Sequence, residues 1–271
     1  MVLEVAGSNP VIHPFGMRIG ILFRAGIATV ENLRKCVAEA IGTFYFCFAG
    51  IASLICIEAP INMDYGLLGV ALAHGLALSV AVCTFGGLSG AHFNPAVTCG
   101  MLVTRRICPF LAIKYILSQL AGATLAALVC KTAFDAAAVG SAKLGIPLPA
   151  EGVDTGIVLL IEFVCTFLLV TAIFGVAVDE RGKAVSIGGF AIGLTVTFNI
   201  LAAGALTGAS MNPARSLGPA LVHGHWEHHA LYWIAPIAGA IVAALLCDRF
   251  LLKEDATPAT DQGSGGEEAA G

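Results

Sequence analysis

Charged side chains are scarce in this chain: Asp, Glu, Lys and Arg make up 12% of its 271 residues, where a soluble domain carries about 25%. Apolar residues reach 58%, against the roughly 45–50% of soluble domains. That balance excludes a water-soluble globule and leaves an integral membrane protein. Excess positive charge is missing too, since the net charge is −4, so no nucleic-acid partner is expected. Aromatics are few and glycines many, at 8% and 32 residues. Such a composition suits helices that touch through small residues rather than a core driven together by water. The nine cysteines include no CxxC spacing, and most (Cys47, Cys56, Cys83, Cys130, Cys165, Cys247) lie in apolar runs, so they read as small buried hydrophobes. There is no nucleophile–base spacing, zincin motif or phosphate loop, so neither an enzyme nor a cofactor is expected. Arg18 and Arg24 interrupt the early apolar residues, so no secretory leader is expected.

What is present is a pair of ten-residue stretches, Ser89–Thr98 (SGAHFNPAVT) and Thr207–Ser216 (TGASMNPARS), which match at five of ten positions. Each centres on Asn-Pro-Ala: Asn94-Pro95-Ala96 and Asn212-Pro213-Ala214. Asn is a preferred helix N-cap, and Pro at the first helical position gives up an amide that has no partner there anyway. The carboxamide oxygen accepts from its own helix, leaving both N–H donors of each Asn free for something else. One copy would be a weak signal. Two copies 118 residues apart in a very apolar chain are a strong one.

The chain reads as span, span, half-helix, span, twice over. Residues 1–31 read as a cytosolic arm. Apolar spans follow over Val37–Ile57, Leu67–Phe85 and Phe110–Val129, and again over Ile157–Val178, Ile187–Leu206 and from Leu231, the last closed by Asp248 and Arg249. Residues 94–104 and 212–221 are too short to cross a bilayer, which takes ~20 residues, so each reads as a half-helix entering from one face. The repeats occupy residues 32–131 and 154–253, joined by a Gly/Pro-containing connector over 132–153. An acidic, disordered tail is expected over 254–271. Three spans per repeat is an odd number, so the second copy must sit inverted, and the half-helices meet near the midplane. Arg18, Arg24, Arg34, Lys35, Arg105, Arg106, Arg181, Lys183, Arg249 and Lys253 then fall on one side and only Lys131 and Lys143 on the other, which puts both termini in the cytosol. The fold class is an all-α membrane protein of six transmembrane helices and two re-entrant half-helices.

Two helix N-termini converging at the midplane make a positive field there. Asn94 and Asn212 add donors to the same space. A passing water would offer its oxygen to both and turn its hydrogens away, which breaks the donor–acceptor chain that conducts protons, while the field opposes cations. This is a pathway for small neutral molecules.

These motifs, with the Ala-Glu-Ala-Ile-Gly-Thr-Phe segment around Glu39, resemble the aquaporin (major intrinsic protein) family over about Leu33–Leu252. The resemblance implies passive flux and a homotetramer with one pore per subunit, in contact with lipid. It also implies a narrow constriction at His74, Ile200, Ala209 and Arg215. That set departs from strict water channels and is similar to the plant tonoplast branch. The expected solutes are water and, beside it, ammonia, hydrogen peroxide or urea. Five further family positions separate water from glycerol channels. Ser216, Ala220, Tyr232 and Trp233 follow the water pattern, whereas Phe134 is more typical of glycerol-type members, so a glycerol facilitator stays an alternative. Ala209 stands where family members blocked by mercurials often carry Cys, so block there is expected to be absent. A cell membrane, plasma or inner, is favoured over a vacuolar one.

Blander readings stand beside these. His74 could be a satisfied interior histidine, but intramembrane ionisable groups are functional by default. Glu39 and Glu162 could be the coupling acids of an ion-driven transporter, the rival class. One acid per repeat is better explained by structural acids that accept hydrogen bonds from the loops carrying the half-helices. His223, His225, His228, His229 and Glu227 could suggest metal. A solvated loop is the favoured reading, and no metal site is expected.

Overall fold

The structure, a computed structural model, describes residues 14–183 and 187–252. Ten helices appear among them: α1 (Pro14–Cys56), α2 (Gly66–Ser89), α3 (Pro95–Val103), α4 (Pro109–Ala133), α5 (Ala136–Ser141), α6 (Thr155–Ile173), α7 (Glu180–Lys183), α8 (Gly188–Thr207), α9 (Pro213–His223) and α10 (Leu231–Leu246). Single π-type turns extend α6 to Val178 and α10 to Leu251. Six stretches are long and apolar enough to cross a membrane: Thr29–Cys56, Gly66–Ser89, Pro109–Ala133, Thr155–Val178, Gly188–Thr207 and Leu231–Leu251. The helices α3 and α9 are the two half-length ones. No strand occurs among the described residues.

The first helix begins earlier than the sequence suggests. Residues 14–31, expected to belong to an arm, are continuous with the first span. Pro14 supplies a helix-starting residue, and no second proline follows before Pro60. The second half-helix also runs on to His223, where Gly224 at φ 85° closes it. The connector over 132–153 is not a plain loop, since it holds α5 and a 3₁₀ turn at Lys143–Gly145. The expected acidic tail lies outside the described residues.

Packing repeats along with the sequence. In the first half α1 packs on α4, and in the second α6 packs on α10, while α2 and α8 meet each other at the centre. The half-helices are exchanged: α3 lies on α10 and α9 on α4. Each repeat therefore completes the other. Both α1–α4 and α6–α10 crossings rest on one glycine. A Cβ at Gly122 would run into the Ala40 carbonyl, and one at Gly239 into the Phe163 carbonyl. Backbones approach this closely only through small residues, the usual basis of helix contact in lipid. The outward faces carry Leu, Ile, Val and Phe, among them Leu117, Ile113, Leu160, Ile234 and Leu68.

The glycine contacts make a testable contrast. Gly122→Val and Gly239→Val should each lower the melting temperature of the detergent-solubilised protein or prevent its recovery, since backbone must move. Gly140→Ala, where a Cβ meets nothing within 4 Å, should be neutral or stabilising by about 0.5–1 kcal/mol.

Candidate functional site

Both central helices end on a left-handed glycine, Gly90 (φ 85°) after α2 and Gly208 (φ 81°) after α8. The chain then turns back into the bundle through two non-glycine residues with positive φ in each loop: Ala91 and Phe93 at 51° and 49°, Ala209 and Met211 at 41° and 55°. Such residues cost on the order of 1–3 kcal/mol each and persist only where their surroundings fix them. Glu39 on α1 and Glu162 on α6 do the fixing. Glu39 accepts from Ser89 Oγ at 2.7 Å, from the backbone N–H of His92 and Phe93 at 3.0 and 2.7 Å, and from Gln119 Nε2 at 2.8 Å. Glu162 accepts from Thr207 Oγ1 at 2.7 Å and from the N–H of Ser210 and Met211 at 2.9 and 2.8 Å. Both acids are fully buried. Every bond ends on a carboxyl oxygen.

A second pair of side chains latches the same loops. Tyr115 Oη donates to the Ser89 carbonyl, and Tyr232 Oη to the Thr207 carbonyl, both at 2.7 Å. Tyr232 had suggested itself only as a position that separates channel subgroups. Tyr115, its counterpart, lies outside the ten-residue motifs, and the repeat extends to it: one tyrosine stands 21 residues after Asn94 and another 20 after Asn212.

Where the two half-helices meet, Asn94 and Asn212 cap them. Asn94 Oδ1 accepts from Ala96 N at 2.8 Å, and Asn212 Oδ1 from the N–H of Ala214 and Arg215 at 2.9 and 3.3 Å. The expectation that both N–H donors of each remain free needs correction. Asn94 Nδ2 donates to the Met211 carbonyl at 2.8 Å and Asn212 Nδ2 to the Phe93 carbonyl at 2.9 Å. The loops would otherwise leave those carbonyls unpaired away from water. One donor per asparagine is thus committed, and one remains. Pro95, Ala96, Pro213 and Ala214 are buried at the first helical turns.

Both asparagines line a narrow internal cavity of about 20 Å³, a volume on the scale of single water molecules. Its other walls are almost wholly apolar, with Phe46, Leu169, Ile173 and Met211 among them. The four expected constriction residues are not among its walls. Their repeat counterparts are. Aligning Asn94 with Asn212 pairs His74 with Ile192, Ile200 with Val82, Ala209 with Ala91 and Arg215 with Val97, and all four counterparts face the cavity. The cavity therefore occupies the half nearer the chain ends, and the expected constriction lies in the other half.

There, His74, Ile200, Ala209 and Arg215 are all buried. Arg215 Nη1 donates to the Gly145 carbonyl at 2.7 Å, with the Glu162 carboxylate within electrostatic reach. The connector's part in this region was unreadable in the sequence, because a backbone carbonyl leaves no side-chain signature. His74 is held by its own helix. Its Nδ1 lies 2.8 Å from the Val70 carbonyl, a group that only accepts, so Nδ1 carries the proton. Nε2 has no protein partner. Nε2 is therefore a buried acceptor, not a donor.

Of the remaining positions, Ser216 Oγ lies 2.6 Å from Ser210 Oγ, and Ala220 is buried on α9. Trp233 Nε1 donates to His229 Nε2 at 3.0 Å. Phe134 caps α4 away from the cavity. Glu227 lies 3.6 Å from His225 Nε2 and 3.5 Å from His228 Nε2. His223 is held below the ordinary histidine range by burial and then by Lys131, His225 and Lys143 nearby.

The carboxylate anchors are directly testable. Glu162→Ala would leave two backbone N–H groups and Thr207 without an acceptor inside the membrane, at several kcal/mol, and should abolish recovery of folded protein. Glu162→Gln keeps one acceptor oxygen and should cost about 1–3 kcal/mol, read as a lowered melting temperature.

Comparison with known proteins agrees with this architecture. The major intrinsic protein family model matches residues 26–247. An aquaporin, TIP1-2 of Zea mays, is 41% identical over 236 residues, covering 85% of this chain and 91% of its own. Nodulin-26 of Glycine max is 42% identical, covering 80% and 78%. A glycerol uptake facilitator-like protein of Lactiplantibacillus plantarum is 40% identical, covering 82% and 100%. The aquaglyceroporin structure from Plasmodium falciparum shares the fold with a TM-score of 0.73 at 22% identity, covering 81% and 97%. Six spans, two exchanged half-helices and these matches together make this chain a multi-pass membrane protein of the major intrinsic protein family.

Proposed function

We propose that the protein is a passive channel for water that also admits small neutral solutes such as ammonia, hydrogen peroxide or urea, and excludes protons and ions. The observation that carries this reading is the meeting of two asparagine-capped helix N-termini at a cavity of water-sized volume. Each asparagine keeps one N–H donor, and a water oxygen has two lone pairs to receive them. A water so held cannot accept a third hydrogen bond from a neighbour, so the chain of waters on either side points in opposite directions and a proton cannot hop through. The half-helix ends add positive potential that disfavours cations. Apolar walls elsewhere hold passing water weakly, which favours rapid exit.

In the other half, Arg215 offers donors, with the His74 ring, Ile200 and Ala209 as walls. A solute with an acceptor group satisfies the Arg215 donors. The ion-coupled transporter reading loses its coupling site, because Glu39 and Glu162 spend their oxygens on loop donors. The charge distribution of the loops supports cytosolic termini, and the apolar outward faces suit both lipid and the neighbouring subunits of a homotetramer.

Stopped-flow shrinkage of proteoliposomes tests the reading. Water flux well above empty vesicles, with low activation energy and slow glycerol entry, is expected. Comparable glycerol entry would favour the glycerol-type reading, which the Lactiplantibacillus relative's name keeps in view. No water flux from folded protein would overturn the proposal. Mercuric chloride should not block through position 209, whereas Ala209→Cys should introduce a thiol-reversible block, lowering water flux by roughly ten-fold if this wall lines the path.

A further inference from the structure

The first helix takes no part in the four-residue constriction, yet its inner face is shaped around one member of it. Gly42, Phe46 and Gly50 stand one turn apart on the same side of α1. Phe46 is buried and meets the His74 ring edge to face, with centroids 5.6 Å apart and planes at 71°. Gly50 is one turn further on. A Cβ built there would overlap Nε2 of His74 and lie 2.6 and 2.7 Å from its Cδ2 and Cε1. All three nearest atoms belong to the imidazole. At Gly122 and Gly239, by contrast, the obstruction is a neighbouring helix backbone. Gly50 is therefore not a helix-crossing glycine. It is a recess that the His74 ring occupies.

The repeat shows what the recess replaces. Aligning Glu39 with Glu162 pairs Phe46 with Leu169 and Gly50 with Ile173. Leu169, Ile173 and the His74 counterpart Ile192 all line the cavity in the half nearer the chain ends. That half fills the two positions with a pair of isoleucines. The other half places a glycine opposite an imidazole. We infer that Gly50 and Phe46 are specificity-determining positions: the recess at Gly50 and the backing of Phe46 set how far the His74 ring projects into the conduction path. The ring is held by the Val70 carbonyl at Nδ1, the edge-to-face contact with Phe46 and the Gly50 recess, with Nε2 buried against the recess. A methyl group at position 50 would displace the ring from α1, and solutes wider than water would lose passage before water does.

This inference rests on the proposed placement of His74 in the constriction, and the experiment separates the two. Water and urea permeabilities of proteoliposomes are measured per incorporated protein for the wild type, Gly50→Ala, His74→Ala and the double variant. Gly50→Ala should lower water flux several-fold and urea entry by roughly ten-fold or more. In the double variant the added methyl has no ring to push, so both fluxes should return to the His74→Ala level. If His74→Ala changes the urea-to-water ratio but Gly50→Ala conducts like the wild type, the inference is overturned and the constriction stands. If His74→Ala changes neither flux, the constriction itself is wrong. A folded double variant as slow as Gly50→Ala would mean that the methyl acts on helix packing, which also overturns the inference. Should Gly50→Ala not fold, Phe46→Leu carries the test. A raised urea-to-water ratio is expected, and an unchanged ratio overturns the proposal.

Discussion

Inside a bilayer a backbone N–H or C=O that lacks a partner costs several kcal/mol, and only a continuous helix supplies all of its own. This chain breaks that rule twice, and a set of buried polar residues repairs the break. Glu39 and Glu162 take the free amides of the two loops. Asn94 and Asn212 take the first amides of the half-helices and give one donor to the facing loop. Tyr115 and Tyr232 take the last carbonyls of α2 and α8. With those repairs in place, two helix N-termini can stand in the middle of the membrane and still leave donors over for a passing molecule.

Much of this could be read beforehand. Length and hydropathy gave six spans, and the duplicated Asn-Pro-Ala motif gave the inverted repeat, because both depend on residue types that have few other uses in such a setting. A lone acid at the same place in each repeat pointed to the loop anchors. The sequence was silent where backbone does the work. The Gly145 carbonyl that holds Arg215 and the Phe93 and Met211 carbonyls that bind the asparagines carry no side-chain signal. The beginning of α1 at Pro14 was missed for another reason: two arginines made residues 15–30 look unlike a span, although charge does not prevent a helix from continuing beyond the bilayer.

The site also differs from the expectation in chemical sense. Asparagines with one spare donor each, rather than two, match the two lone pairs of a single oxygen. One half is lined mainly by isoleucine, valine and leucine, and the other holds the buried His74 ring and the Arg215 guanidinium. Inverted repeats supply the same positions twice, and only the residues placed there make the conduit directional in its chemistry.

The reciprocal bonds between Asn94 and Met211 and between Asn212 and Phe93 have a consequence for how the molecule is made. The first loop cannot complete its hydrogen bonding until residues 117 and 119 positions later have left the ribosome. At about 5–20 residues per second that interval is on the order of ten seconds. Throughout it the first repeat must wait in or beside the insertion machinery with a bent, incompletely paired segment. Early synthesis therefore yields a half-structure held by Glu39 and Tyr115, and arrival of the second half locks both loops together.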